Sequence, residues 1–352
     1  MKEHGVSRPI GVLYEHPEWF IPLFAELDRR GLPYEQIAAH EHSYDPSQRS
    51  VPYSLVVNRV SPSSYLRGHT SAIFHARQYL AFLEDLHVPV VNGSRAYGLE
   101  LSKAQQLTLL ARLGLPHPRS RVVNHPGQVE AAASTLEYPL MIKPNIGGSG
   151  ALMRRFNTHE ELHMAAEHGE LESMFGLDYT AIVQEYHPPK DSSIVRVEGL
   201  DDRYLYAIRI YNDPNEGFNL CPADICRVPG EASGMVASTQ HSGNITVSSR
   251  DEAPADFAFC PVPAPAKKVR RIEAETPPMW IVDAVLRIFR EAGIDVGGVE
   301  YLESERDGQI YLYDINALSN FVTDAPTLVG FDPFVRFVDY LEHRAGVAVA
   351  TR

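Results

Sequence analysis

Two short stretches, Gly298-Val299-Glu300 and Tyr311-Leu312-Tyr313-Asp314-Ile315-Asn316, constrain this chain more than anything else in it. Residues 309–316 read as a strand, and strand alternation turns Asp314 and Asn316 to the same side. A preceding strand carrying Glu300 is a suitable hairpin partner. Two carboxylates and an amide oxygen on adjacent strands form a hard-oxygen ligand set, which suits Mg²⁺ beside a polyphosphate. Far upstream, Lys143-Pro144-Asn145-Ile146-Gly147-Gly148-Ser149-Gly150 joins a strand end to a glycine-rich loop. The exposed N–H groups of such a loop, with the lysine charge, can grip phosphate oxygens.

At 352 residues the chain exceeds one ordinary core, so two or three lobes are expected. Hydrophobic residues at 44% and charged residues at 22% are those of a soluble globular protein. The net charge of −13 argues against a nucleic-acid partner while leaving room for a local basic pocket. Three cysteines do not make a disulfide framework. No run approaches the ~20 apolar residues that span a bilayer, and the first residues have no apolar targeting core. The expectation is a cytoplasmic protein with no membrane partner.

Residues 9–14, 53–59 and 88–93 read as strands, and 16–31 and 70–86 as helices. This strand–helix rhythm gives a small α/β domain over 1–95. A helix over 101–113 follows, with Ser102 available as its cap and Gly114 ending it. The strand 136–144 feeds the glycine loop. Thr158 and Glu161 form a capping-box pattern before the helix 158–168. Strands at 181–186, 195–198 and 204–210 come next. The segment 212–275 is irregular, with many Ser, Gly and Pro. Regular helices return over 278–292 and 331–344.

IKPNIGGSG is neither a Walker loop nor a dinucleotide fingerprint. It reads as a mobile phosphate cradle or as an ordinary glycine-rich hairpin. Lys103, in the first turn of its helix, opposes the helix dipole, so it reads as a phosphate ligand or a solvated surface lysine. Cys221, Cys226 and Cys260 with His241 read as zinc ligands or as buried unpaired thiols, and the Cys-x₄-Cys spacing, which is not that of a zinc knuckle, favours the thiols. Lys267-Lys268-Val269-Arg270-Arg271 reads as a solvated charge run. His16 and Arg59 follow strands of the first domain, where they border substrate or lie at the surface.

These residues resemble the ATP-grasp superfamily, in particular its glutathione synthetase-like and ribosomal-protein glutamate ligase-like branch. The resemblance covers roughly 90–345 and implies an α/β and α+β architecture. An N-terminal pre-grasp domain (1–95) would precede a small lobe with the glycine loop (96–185). A C-terminal lobe would follow (186–345), bearing the metal site and an insertion at about 212–275. It implies that Lys103, Lys143, Gly147, Gly148, Ser149 and Gly150 contact ATP. Gln184 and Tyr186 would offer backbone groups to adenine, Glu185 a side chain near adenine or ribose, and Asp191 a ribose contact. Arg209 would join Lys143 as a catalytic cation near the transferred phosphate. Glu300, Asp314 and Asn316 would hold Mg²⁺, with Mn²⁺ as a substitute.

The implied activity is an ATP-dependent carboxylate–amine ligase that works through an acylphosphate. Its substrates would be a small-molecule or peptide carboxylate and an amine, and a homodimer is a frequent assembly in the family. The alternatives are an ATP-grasp enzyme with a non-amine acceptor, or an inactive nucleotide-binding sensor or scaffold. Three departures stand out. Ala151-Leu152 follows the loop where relatives often have another glycine. Ser193 stands where relatives often have arginine, with Arg196 a candidate to replace it. Ala317-Leu318-Ser319-Asn320-Phe321 replaces the usual Ser-Pro-Gly after Asn316.

Overall fold

Residues 8–148, 150–212 and 271–350 are described by the computed structural model, with side chains up to residue 346. Ser149, the three cysteines, His241, Lys267 to Arg270 and most of the 212–275 segment lie outside the described residues.

The chain begins with β1 (Ile10–Tyr14), whose residues are all buried. A continuous apolar run of this kind belongs inside a parallel sheet covered on both faces. α1 (Ile21–Arg30) follows, starting later than the periodicity predicts because Pro17–Phe20 forms a 3₁₀ turn. Trp19 and Phe20 are nevertheless buried from within that turn. β2 (Tyr34–Ala38), β3 (Leu55–Arg59), α2 (Thr70–Asp85) and β4 (Val90–Val91) complete the unit. β2 escaped the sequence reading; its exposed Glu35 and Gln36 interrupt the apolar pattern. The four strands are parallel in the order β2-β1-β3-β4. Connections leave β1 in opposite directions, so the carboxyl ends of β1 and β3 border a switch-point crevice.

α3 (Ser94–Glu100) and α4 (Lys103–Arg112) come next. Ser102 caps α4 by accepting the Gln105 N–H at 3.2 Å. A second sheet of order β5-β8-β6-β7 is built from β5 (Ser120–Val123), β6 (Leu140–Pro144), β7 (Arg154–Phe156) and β8 (Ala181–Glu185). α5 (Val129–Ala133) and α6 (His159–Glu167) cover one of its faces. Thr158 caps α6 through the Glu161 N–H at 3.2 Å. The reciprocal bond shifts by one residue: Glu161 Oε2 accepts the Asn157 N–H at 2.6 Å.

The third sheet is antiparallel, in the order β11-β10-β9-β12-β13. Its strands are β9 (Ser193–Leu200), β10 (Arg203–Tyr211), β11 (Ile272–Ala274), β12 (Val296–Glu303) and β13 (Ile310–Asn316). α7 (Met279–Ala292) precedes β12, while α8 (Ala325–Val329) and α9 (Pro333–Ala350) close the chain.

The sheet's two faces pack against different partners. Val195, Val197, Ala207, Val299 and Ile315 meet α7 together with α3 and α4. Residues 96–113, assigned to the small lobe from sequence, therefore pack on the third sheet, because Leu99, Leu109 and Leu110 find their apolar partners there. The opposite face sends Ile194, Ile208 and Ile210 into a core shared with β1, β3, α1 and α9. Among the described residues no helix is long and apolar enough to cross a membrane.

Candidate active site

Glu300 pairs with Asp314 and Gly298 with Asn316 across β12 and β13. Directly opposed residues of an antiparallel pair share a face, so Glu300, Asp314 and Asn316 line one surface. On the other side of β12, Glu300 pairs with Arg196 of β9. Arg196 donates to Glu300 Oε1 at 3.2 Å and to Glu198 Oε1 at 2.6 Å. A register shift beside Glu300 frees Tyr313 from the regular alternation, and its hydroxyl donates to Glu300 Oε2 at 2.8 Å. Gly298 makes this arrangement fit. A Cβ there would lie 2.8 Å from Arg196 Nε and 2.9 Å from Glu198 Oε1.

Both predicted lysines reach this face. Lys103 Nζ donates to Asp314 Oδ1 at 2.7 Å. Lys143, at the end of β6, is buried, and its ammonium makes no hydrogen bond or ion pair among the described residues. Burial, reinforced by the Lys103 charge, brings its ammonium down to about 7. Burial would also depress Lys103, but the Asp314 carboxylate more than offsets this and holds it above its ordinary range. Burial raises Glu300, and Asp314 adds to the rise. For Asp314 itself the effect of burial is outweighed by Lys103 and Lys143, so it stays low.

Asn145 ties the lysine-bearing elements together, a role that the sequence reading missed. Its Oδ1 accepts from Ala104 N at 2.9 Å and Ser102 Oγ at 3.1 Å, its carbonyl accepts from Lys103 N at 3.3 Å, and its Nδ2 donates to Asp178 at 2.6 Å. Glu100 was also missed. It accepts the Ala317 N–H, and burial lifts its carboxyl to about 7, with Asp314 adding to the rise.

On the second sheet, Met141 pairs with Gln184 and Lys143 with Ile182, so Gln184 shares the face of Lys143. Its Nε2 donates to Ser120 Oγ at 2.9 Å. Glu185 points the other way. Its carboxylate is held behind the sheet by Arg119 at 3.1 Å and the Glu137 N–H at 2.9 Å, so its side chain is not on the Lys143 face. Tyr186 gives its N–H to Pro139, and Arg155 lies 5.3 Å from its ring centroid. Asp191 is exposed at a left-handed position (φ 54) before β9.

Arg209 is likewise not brought to the oxygen cluster. It pairs in register with Val195, one residue out of phase with Arg196, and so occupies the opposite face of the sheet. There it donates to Glu275 at 2.6 Å and Ser193 at 3.0 Å. The arginine on the cluster face is Arg196.

The N-terminal lobe forms a further wall. Ile146 is buried in that lobe's core with Leu101. A Cβ on Gly148 would come 2.8 Å from the Ser63 Cβ, so the loop lies flat on the turn after β3. Gly147 and Gly150 flank this contact, Gly150 with φ 69. Arg59 is not at the surface. It is buried, donates to the Ser319 carbonyl and stands over Phe20 and Phe337. His16 stacks on Trp19.

No family model matches the sequence. Solved structures do match the fold over its whole length. The ATP-grasp ligase PsnB complexed with a minimal precursor superposes with a TM-score of 0.62 at 19% identity, covering 96% of this chain and 99% of that one. The D-cycloserine synthetase DcsG gives 0.62 at 17% over 96% and 99%. The D-alanine–D-alanine ligase from Bacillus anthracis complexed with ATP gives 0.62 at 14% over 99% and 100%. This chain has the ATP-grasp fold. Within the ATP-grasp fold its two antiparallel sheets present Lys143 and Gln184 from one side and Glu300, Asp314 and Asn316 from the other.

The donor set suits a divalent cation. Among the described residues no three His, Cys, Asp or Glu gather as a metal cluster, so the ligands on offer are two carboxylates and the Asn316 amide oxygen. Burial, and after it repulsion from Asp314, raises the Glu300 carboxyl, and a bound cation would relieve that repulsion. Hard oxygen donors with room for phosphate ligands favour Mg²⁺.

Proposed function

We propose that this protein is an ATP-dependent ligase joining a carboxylate to an amine, with release of ADP and phosphate. The observation that carries the reading is the convergence of Lys103 and Lys143 on the Asp314 side of the oxygen cluster, inside an ATP-grasp fold. Related folds are described in complex with ATP, or with Mg and ADP, and as ligases.

In this reading a carboxylate oxygen of the substrate attacks the γ-phosphorus of ATP, and the bond to the β–γ bridging oxygen breaks. The resulting acylphosphate gives the acyl carbon a leaving group. The amine nitrogen attacks that carbon, phosphate departs with the C–O electron pair, and the nitrogen loses a proton. Lys143 and Lys103 offset charge as the two anions approach. Arg196 and Tyr313 hold Glu300, and Glu300, Asp314 and Asn316 would hold Mg²⁺, or Mn²⁺ in its place, which would supply charge neutralisation for the phosphates. The loop Gly147–Gly150 shields the intermediate from water. Gln184 and Tyr186 line the adenine side and Asp191 the ribose side. Glu185 and Arg209 act in this scheme as scaffold, through Arg119 and Glu275 respectively.

The three-part division into a pre-grasp domain, a small lobe and a metal-bearing lobe belongs to the same proposal, as do a cytoplasmic site of action and a homodimer. The acyl donor is a small molecule or a peptide; PsnB is described with a precursor peptide and DcsG as a D-cycloserine synthetase. The deciding experiment incubates the protein with MgATP and a panel of carboxylates and amines, scored by ADP release and product mass. Amine-dependent ADP release with an amide product is expected. Nucleotide binding with no turnover across the panel would favour a sensor instead.

A further inference from the structure

Tyr65 has no place in the scheme above, yet it packs on the N-terminal core that also takes in Leu101 and Ile146. It lies in the 3₁₀ turn Pro62–Arg67, directly after β3 at the switch-point crevice. Its ring packs on the cluster that contains Leu101 and Ile146, the residues that lead into Lys103 and out of Lys143. Two residues earlier, Ser63 is the surface on which Gly148 rests. The Tyr65 hydroxyl is buried and has no hydrogen-bond partner among the described residues. An unpaired buried hydroxyl is costly, and a bound ligand group is one partner that would satisfy it. Burial raises its ionisation while the nearby Lys103 charge opposes the rise, which places the hydroxyl within the field of the phosphate-facing lysine.

We propose that Tyr65 donates its hydroxyl hydrogen bond to the phosphoryl group passing from ATP to the substrate carboxylate. The inference rests on the ligase reading and adds to it a catalytic group from the N-terminal lobe. Cations reach the transferring phosphoryl from α4 and β6, and Tyr65 meets it from the turn after β3. The hydroxyl stays protonated throughout, so it donates without giving up its proton. The Gly148–Ser63 contact sets this part of the glycine-rich loop against the same turn that carries Tyr65.

The test compares the affinity for MgADP alone with that for MgADP plus aluminium fluoride, a mimic of a phosphoryl group in transfer, in the wild-type protein and in Tyr65→Phe. The wild type should bind the fluoroaluminate complex more tightly than MgADP. Tyr65→Phe should lower that preference about tenfold or more, in keeping with loss of one preorganised donor, while its affinity for MgADP stays unchanged. An equal preference in both proteins would overturn the role, as would a wild type that binds MgADP without any preference. A parallel loss of MgADP affinity in Tyr65→Phe would assign the residue to packing and also overturn it. A wild type that binds no MgADP would fail the ligase reading itself and take this role with it.

Discussion

Lys143 carries the largest electrostatic tension in the site. It is buried beside a second lysine, and its own titration has fallen to about 7. Polyphosphate favours its charged form, so above pH ~7 nucleotide binding takes up a proton. Apparent MgATP affinity should therefore fall as pH rises past about 7, by up to about tenfold per unit. Lys143→Arg, always charged, should flatten the profile; calorimetry across pH 6–9 in buffers of different ionisation heat measures both the slope and the proton uptake. Asp314 and Asn316 sit on the other side of the cleft. Asp314→Ala or Asn316→Ala should cut MgATP-dependent ADP release by about 10²-fold or more, with an unchanged circular dichroism spectrum. Activity that survives at limiting Mg²⁺ would remove them from the ion's ligands.

Between elements, the critical ties are short polar ones. Asn145 fastens the N-terminus of α4 to the end of β6 through its side chain and its carbonyl. Asn145→Ala leaves buried donors unpaired and should cost about 1–3 kcal/mol in urea unfolding. It should also weaken MgATP binding, because Lys103 and Lys143 lose their common anchor. At the other side of the cleft, the Arg196–Glu198 pair of β9 lies in space that Gly298 of β12 leaves open. Gly298→Ala should displace Arg196 from Glu300 and raise the Mg²⁺ concentration needed for half-maximal ADP release. An unchanged Mg²⁺ requirement would show that Glu300 is held well enough by Tyr313.

Across the whole molecule, the N-terminal lobe is fixed to the segment after β13 and to α9 by a buried arginine as well as by apolar contact. Arg59 bonds the Ser319 carbonyl and stacks over Phe20 and Phe337, but its Nε and Nη1 find no partner among the described residues. Desolvation lowers its ionisation to about 10. Arg59→Ala removes the methylenes and leaves a cavity, and should cost about 3 kcal/mol or more in denaturant unfolding. Arg59→Met keeps the volume and discards a poorly satisfied charge, so it should cost about 2 kcal/mol less than the alanine variant. Equal losses would mean that the guanidinium contacts, and not the filled space, join the lobes.

The sequence by itself determined the pieces with strong local signals. Lys143 ends a strand, Ser102 and Thr158 cap their helices, and the alternation of Asp314 and Asn316 fixes their common side. Each follows from backbone periodicity or from a side chain bonding its own neighbourhood, and both are encoded within a few residues. Only the tertiary structure decided which strand lies next to which. Pairing of β9 with β12 brings Arg196 to Glu300, and the register of β10 turns Arg209 to the opposite face. It also decided that Glu185 faces the helices behind its sheet, that α4 packs on the third sheet, and that Gly148 rests on Ser63. A shift of one residue in strand register exchanges the two faces of a sheet, and no local signal in the chain specifies that choice.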